Sequence, residues 1–327
     1  MINLKKALVL SVALISTLGL AACGETGAKE TSAEKKYSIG IVQPVEHLAL
    51  DDARKGFVAA LKDKGYDENV TYDMQNAQGD TNNLSTICDR FVNNKVDLVL
   101  AIATDSAQSM ASKTTEIPIV ATAVTSFSVA GLVDSEESPG GNVTGTSDMN
   151  PVAEQVKLIK ELVPEAETIG LIYNNGEDNS VLQAGIAKEA IDSMGLNWVE
   201  VTVLNSSDIS QALQSLVAKC DAIYIPTDNT LASAMATVYS VTIESGTPTI
   251  CGADSMVADG GLATMGINYY DLGYQAGEMA VEILEGKNPA EMPVQYAANS
   301  DIISINGEVA AAIGYEIPEE YKQYIID

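Results

Sequence analysis

A lone histidine, His47, stands beside a carboxylate, Glu46, in the segment VEHLALDD (45–52). This pair could serve acid–base catalysis, because an imidazole next to a carboxylate can hold and move a proton near neutral pH. A hydrolase would also need an activated nucleophile, and no Gly-x-Ser-x-Gly or reactive-cysteine signature accompanies the pair. We therefore expect a binding protein rather than an enzyme. In it, His47 either contacts the ligand or fixes a strand-to-helix turn.

The other residue types offer no metal or cofactor chemistry. One histidine and four cysteines without a Cys-x-x-Cys spacing provide no metal-ligand pattern, so we expect neither a metal nor a cofactor. The chain carries 45 Asp and Glu against 18 Lys and Arg, for a net charge of −27. Such a surface repels phosphate backbones, so nucleic acid is not an expected partner.

The first residues have the order of an export signal. A short basic start precedes the apolar run 7–20, which is short for a membrane span, and small residues then lead to Cys23 in LAAC. LAAC resembles a bacterial lipobox, which implies cleavage before Cys23 and a lipid on that cysteine. We expect a lipoprotein signal peptide over 1–22 and a flexible, lipid-anchored tether over 23–36.

The remaining chain predicts a duplicated α/β architecture. Short apolar runs alternate with helical patterns, which is typical of parallel β–α–β units. The series then repeats: TIGLIYNN (168–175) matches SIGIVQP (38–44), and Gly195 follows Gly65 at an offset of 130 residues. The sequence therefore predicts two Rossmann-like lobes with parallel sheets.

The chain is expected to cross between these lobes more than once, which would form a multi-strand hinge. The glycine-rich segment GNVTGTSDMNP (141–151) is the expected first crossing. Lobe one is then expected to contain 37–146 and about 265–290, and lobe two 147–264 and about 291–327.

Ligands of open α/β sheets bind beyond the carboxyl ends of the strands. If the two lobes face each other, these ends line one cleft, and closure around a ligand is the natural motion. Four polar loops follow predicted strands in this way: QPVEHLALD (43–51), ATDSAQ (103–108), PTDNT (226–230) and GAD (252–254).

The Thr-Asp pairs of the second and third loops have two readings. Each pair stands where a helix begins, and helix capping alone explains those residue types. A helix N-terminus also offers free backbone N–H groups to an anion, so capping and ligand contact are compatible. The three consecutive polar residues of PTDNT exceed what a cap requires, which favours a binding role there.

The charges available in these loops limit how a ligand could be held. The only arginines are Arg54 and Arg90, both on helical patterns outside the loops, so a bidentate arginine clamp is not expected. A ligand carboxylate would rest on backbone N–H groups and the hydroxyls of Thr104, Ser106 and Thr227. A ligand ammonium would find the carboxylates of Glu46, Asp228 and Asp254.

Aromatic side chains near the predicted cleft are few. Trp198 lies in a strand-like run and is expected in a core. An aromatic amino acid would gain from ring contacts combined with polar groups at its zwitterionic end. The aromatic candidates for such contacts are Phe127, Tyr173, Tyr269 and Tyr270, and the three tyrosines could equally pack within a lobe.

Several segments resemble one family in order along the whole chain after the signal. They are VEHLALDDARKGFVAALKDKGY, NVTGTSD, PTDNTLASA, INYYDLGYQAGEMAVEILEGKNPAEMPV and INGEVAAAIGYEIPE. These resemble the substrate-binding lipoproteins of ABC importers, in the branch associated with tryptophan and tyrosine uptake. The resemblance implies a type I periplasmic-binding-protein fold. We also expect a monomer, anchored through Cys23 to the outer face of the membrane. The resemblance also implies delivery of a small-molecule ligand to an ABC permease.

The expected ligand is an aromatic amino acid (tryptophan, tyrosine or phenylalanine), and the alternative is a sugar or nucleoside held by the same fold. Two residues depart from the family pattern near the expected pocket: Leu48 replaces a proline, and Met265 replaces an aromatic residue. From the loops and the resemblance together, the expected ligand-binding residues are Gln43, Glu46, His47, Thr104, Asp105, Ser106, Thr125, Asn174, Thr227, Asp228, Asn229 and Asp254.

Overall fold

The computed structural model describes residues 35–326. The expected signal peptide, Cys23 and nearly all of the expected tether lie outside the described residues. Within 35–326, no helix is both long enough and apolar enough to cross a membrane.

Strands and helices alternate along most of the described chain. The strands are β1 (Tyr37–Gln43), β2 (Val70–Asn76), β3 (Leu98–Ile102), β4 (Ile119–Val124), β5 (Val143–Ser147), β6 (Thr168–Asn174), β7 (Asn197–Val203), β8 (Ala222–Ile225), β9 (Thr249–Cys251), β10 (Ala263–Gly266), β11 (Gln295–Tyr296), β12 (Ile302–Asn306) and β13 (Ile325–Ile326). The α-helices are α1 (Leu48–Asp63), α2 (Thr81–Asn94), α3 (Thr104–Ala111), α4 (Val152–Leu162), α5 (Asp178–Ser193), α6 (Ile209–Val217), α7 (Asn229–Ala232), α8 (Met235–Ser245), α9 (Asp254–Ala258), α10 (Tyr269–Leu284) and α11 (Gly307–Ala312).

The strands form two sheets with the same internal order. The first sheet runs β11-β5-β4-β3-β1-β2 and is parallel throughout. The second runs β13-β12-β10-β9-β8-β6-β7, and its only antiparallel pair among the described strands is β10 with β12. Five successive strands thus take the same places in each sheet, which confirms the predicted α/β fold of two lobes with parallel-dominated sheets.

Corresponding glycines let helices pack closely on the two sheets. A Cβ on Gly40 of β1 would lie 2.7 Å from the Phe91 ring, and a Cβ on Gly170 of β6 would lie 2.7 Å from the Cys220 sulfur. These glycines are 130 residues apart, the offset that the sequence repeat predicts. The central strand β3 is buried along its whole length, as expected for a parallel strand covered by helices on both faces.

Within residues 35–326, three segments pass between the lobes. The first follows β5, the second joins β10 of the second sheet to α10 of the first lobe, and the third joins β11 to β12. β11 differs from the expected boundary near 290, because Gln295 pairs with Thr146 of β5 and so adds an edge strand to the first sheet. The third crossing therefore follows Tyr296.

Helices α1 and α10 pack closely against each other in the first lobe. Gly273 of α10 lies against the backbone of Ala53, and Gly56 of α1 lies against the backbone of Tyr270. These contacts fix α1 and α10 directly against each other. His47, before α1, and Tyr269, at the start of α10, are thereby held near each other.

Gly273→Ala is expected to lower the free energy of unfolding by about 1–3 kcal/mol or more, because the new Cβ would lie 1.9 Å from the Ala53 carbonyl oxygen. The matched control is Gly185→Ala on α5, where a Cβ meets nothing within 4 Å. That control should stabilise by up to about 1 kcal/mol through helix propensity. Urea denaturation measures both. Equal stability of the two variants would contradict the packing argument.

Candidate functional site

A narrow cavity lies where the carboxyl ends of the two sheets meet, with about 350 Å³ of empty space. This figure includes space open to solvent, and the room available to a water-sized molecule inside the cavity is about 20 Å³. Its polar side chains from the first lobe and first crossing are His47, Thr125, Asp148 and Tyr269. Those from the second lobe are Asn179, Thr227, Asp228, Asn229 and Ser255.

Hydrogen bonds join the two lobes around this cavity. His47 Nε2 lies 3.2 Å from Asn229 Oδ1, and Gln183 Nε2 donates to Thr125 Oγ1 at 3.4 Å. Outside the cavity, Gln108 Nε2 of α3 donates to Asp178 Oδ2 of α5 at 2.9 Å. The cleft is therefore closed.

Asp148, immediately after β5, places a buried carboxylate on the cavity wall. Thr125 Oγ1 donates to its Oδ1 at 3.0 Å, and the Tyr269 hydroxyl donates to its Oδ2 at 2.8 Å. Burial raises the pKa of Asp148, and these two hydrogen bonds act in the opposite direction. Asp148 was not among the residues expected from the sequence, although its place after a strand in the first crossing was a usable signal.

Glu177, also missed, organises the second-lobe side of the cavity. Its side chain is only 4% exposed, and it accepts hydrogen bonds from the backbone and side chain of Asn229 at 2.9 and 2.8 Å. It also accepts from the backbone and hydroxyl of Thr230 at 3.0 and 2.8 Å. One carboxylate thus joins the loop after β6 to the start of α7. Its position before α5, away from the Thr-Asp pattern, concealed it in the sequence.

The two Thr-Asp pairs have different local roles. Asp228 caps α7 through the Leu231 N–H at 2.8 Å and also accepts the Asn174 N–H at 2.6 Å. Its carboxylate is therefore committed to backbone groups, although the residue lines the cavity. Asp105 lies in the first turn of α3 after the cap position, which Ala103 occupies. Burial together with the charges of Glu177 and Asp178 raises the pKa of Asp105 to about 7.

The cavity brings together five of the expected residues, and the others lie elsewhere. Gln43 and Glu46 line a separate groove beside Asp51 and Arg54, and Asp105 and Asn174 line a wider groove between the lobes. Ser106 is fully buried. Thr104 lines a small cavity together with Asp178. The Asp254 carboxylate accepts a hydrogen bond from the Ser255 N–H. The residues that line the cavity are His47, Thr125, Thr227, Asp228 and Asn229.

Of the four aromatic candidates, only Tyr269 lines the cavity. Phe127 belongs to the first-lobe core, and the Tyr173 hydroxyl donates to Glu200 at 2.9 Å. The two departures from the family pattern do not line it either. Leu48 is 40% exposed at the start of α1, and Met265 packs against the second-lobe core.

Three residues of the cavity wall carry buried polar atoms with no hydrogen-bond partner in the described part of the chain. These atoms are His47 Nδ1, Asn179 Oδ1 and Ser255 Oγ. Burying a polar group without a partner costs about 1–3 kcal/mol, so such groups in a cavity wall favour a polar ligand that can bond them.

The match to a family model defines the class of protein. Residues 38–324 match the family described as ABC transporter substrate binding protein, and the chain belongs to this family. Members of this family bind a small molecule outside the cytoplasm for an ABC importer, which agrees with a closed cleft between two lobes.

Three relatives show how similar this chain is to other proteins in sequence and structure. A tyrosine-binding protein of Clostridioides difficile (strain R20291) is 42% identical over 325 residues, covering 96% of this chain and 93% of that protein. An ABC domain from Streptococcus pneumoniae in complex with L-Trp is 38% identical with a TM-score of 0.86, covering 89% of this chain and 100% of that one. A substrate-binding protein with adhesive properties from Clostridium difficile, in a ligand-free, open structure, is 42% identical with a TM-score of 0.68, covering 89% and 99%.

The open structure is the more similar of the two in sequence but the less similar in shape. Overall shape depends on the angle between the lobes, so the arrangement of this chain is closer to the L-Trp complex. This agrees with the hydrogen bonds that join the lobes here.

Asp228→Ala is expected to lower the free energy of unfolding by about 2–5 kcal/mol, because it leaves two buried backbone N–H groups without an acceptor. The control is Asp80→Ala, which removes an exposed cap from α2 and should cost about 0.5–2 kcal/mol. Urea denaturation compares them. A smaller loss for Asp228→Ala than for Asp80→Ala would contradict the structural role of Asp228.

Proposed function

We propose that this chain captures an aromatic amino acid, namely tryptophan, tyrosine or phenylalanine, and presents it to an ABC permease. The observation that carries the proposal is Asp148, a buried carboxylate in the wall of a closed cavity. A buried carboxylate is stabilised by a cationic partner, and a ligand ammonium supplies one. The L-Trp complex and the tyrosine-binding relative point to the same ligand class.

The rest of the wall suits a flat ring. Its apolar residues are mostly small, since four of the six are alanine. Tyr269 adds an aromatic side chain whose hydroxyl is already bound to Asp148, so its ring is held in place. The apolar wall residues are Ala49, Leu50, Ala123, Ala232, Ala253 and Met256.

The ligand carboxylate has neutral donors available. No lysine or arginine lines the cavity among the described residues. The Thr227 hydroxyl oxygen accepts from Gln183 Nε2, which leaves its hydrogen free to donate, and Ser255 Oγ has no protein partner. We assign these two hydroxyls to the carboxylate.

The remaining features of the proposal rest on the sequence before residue 35. LAAC supports cleavage before Cys23, a lipid on that cysteine and a tether to the outer face of the membrane. We propose that the protein acts there as a monomer. A mass spectrum of the protein from its native membrane tests this: the mass of a diacylated or triacylated chain beginning at Cys23 is expected.

The ligand class is tested by calorimetric titration of protein that has been unfolded and refolded to remove carried ligand. At least one of tryptophan, tyrosine and phenylalanine should bind, while leucine, ribose and adenosine should not. Binding of a sugar or nucleoside alone would overturn the proposal.

Asp148→Asn should weaken binding of the aromatic amino acid at least about thirtyfold, since removing one member of a buried charge pair costs about 2 kcal/mol or more. Asp271→Asn is the matched control, because Asp271 is an exposed carboxylate on α10 two residues after Tyr269. It should change the dissociation constant less than about threefold. Equal effects of the two substitutions would remove Asp148 from the site.

Closure should also depend on pH. In the closed cleft Asp105 lies near Glu177 and Asp178, and its pKa is raised to about 7, whereas separated lobes would leave it near its ordinary value of about 4. Between about pH 4 and pH 7, closure is therefore accompanied by uptake of a proton by Asp105. Affinity should rise as the pH falls below about 7. We expect a gain of more than about tenfold between pH 7.5 and 5.5.

Asp105→Asn is the control for this effect. The variant should bind more tightly than the wild type at pH 7.5 and lose most of the pH dependence. Titrations at several pH values measure both, and an equal slope in the two proteins would exclude Asp105 as the group responsible.

A further inference from the structure

Three side chains form a hydrogen-bonded series that crosses from one lobe to the other. Glu177 Oε2 accepts from Asn229 Nδ2 at 2.8 Å, and Asn229 Oδ1 lies 3.2 Å from His47 Nε2. Glu177 and Asn229 belong to the second lobe, and His47 belongs to the first. The last bond of the series therefore forms only when the lobes close.

This series determines which nitrogen of His47 carries the proton. A carboxylate only accepts, so the Asn229 amide must direct its NH₂ group to Glu177 and its oxygen to His47. The histidine must then donate from Nε2. Burial lowers the pKa of His47, so the ring is neutral and has a single N–H. Nδ1 is consequently a hydrogen-bond acceptor.

The Nδ1 atom of His47 accepts no hydrogen bond from the described part of the chain. It is buried and has no hydrogen-bond partner, in a residue that lines the cavity. His47 occupies the cap position of α1, yet its side chain makes no capping hydrogen bond. A side-chain cap on the first turn of α1 is thereby excluded, and a ligand that enters the cavity can supply the donor.

We propose that His47 Nδ1 accepts a hydrogen bond from the ring of the bound amino acid, from a phenol O–H or an indole N–H. The site then selects tyrosine or tryptophan over phenylalanine. This inference rests on the proposed function and deepens it, because it identifies the polar group on the ligand ring that the site recognises. Glu177 acts through Asn229 and is a positioning residue.

The ring, rather than the ammonium, is assigned to His47 for two reasons. Asp148 follows β5 and His47 follows β1, and these strands are three spacings apart in the first sheet, or about 14 Å. The two groups therefore reach the cavity from different positions along the sheet, which lets them contact different parts of one ligand. A cationic ammonium is also stabilised far more by the Asp148 carboxylate than by a neutral imidazole, which suits a neutral donor.

The test compares tyrosine, tryptophan and phenylalanine on unfolded and refolded protein. The better of tyrosine and tryptophan should bind about ten- to a hundredfold more tightly than phenylalanine, which leaves Nδ1 unpartnered. If phenylalanine binds within threefold of the better ligand, the inference is overturned while the proposed function stands. If none of the three binds, both are overturned.

His47→Gln and His47→Asn separate the two nitrogens. A glutamine amide can still reach Asn229 in the place of Nε2 but has no acceptor where Nδ1 lies, whereas an asparagine amide oxygen can replace Nδ1. The useful quantity is the dissociation constant for phenylalanine divided by that for the tighter-binding of tyrosine and tryptophan, because general effects on closure cancel in this ratio. It should fall at least fivefold in His47→Gln and less in His47→Asn, and an unchanged ratio in His47→Gln would contradict the inference.

A measurement on the unaltered protein does not depend on how these variants fold. His47 is the sole histidine in the sequence, so ¹⁵N-histidine labelling of protein without a polyhistidine tag gives one imidazole spectrum. At pH 7 the liganded protein should show a protonated Nε2 and an unprotonated Nδ1. The Nδ1 resonance should shift with tyrosine or tryptophan but not with phenylalanine. A protonated Nδ1 in the complex would exclude the proposed acceptor.

Discussion

The buried carboxylate of Glu177 is the interaction on which the site depends most. A charge removed from water is tolerated only where hydrogen bonds replace its solvation, and Glu177 receives four short ones from Asn229 and Thr230. Those bonds fix the start of α7 against the loop before α5. Through Asn229 they also fix the side chain that His47 meets when the lobes close. One buried charge thus sets the geometry of the second lobe and the contact between lobes.

Recognition then divides between charge and neutral hydrogen bonding. Asp148 is held by Thr125 and Tyr269, from two elements of the first lobe, so its position does not require the second lobe. His47 meets Asn229 only in the closed cleft. An amino acid can therefore bind first through its ammonium group, and its ring then contacts His47 as the lobes close. Asp105 opposes closure while ionised, because in the closed cleft it is largely buried and lies near Glu177 and Asp178.

The sequence predicted the fold because its signals were local and repeated: apolar strands, helical periodicity and a 130-residue offset. The site was harder to predict because similar loops have different roles. Asp228 had the polar context of a ligand residue, yet its carboxylate is bound to two backbone N–H groups. Glu177 had no motif and Asp148 only its place after a strand, since the surroundings of both come from segments far apart in the chain. The positive φ of Ala123 (56°), in the cavity wall, likewise has no sequence signal in a non-glycine residue.

A crystal structure of the refolded protein grown with tyrosine or tryptophan tests the central claim most directly. The account predicts the amino acid between closed lobes, with its ammonium within about 3 Å of the Asp148 carboxylate and its ring donor at a similar distance from His47 Nδ1. An amino acid bound in the wider groove beside Asp105 and Asn174 would contradict the account. So would a complex in which Asp148 keeps only its bonds to Thr125 and Tyr269.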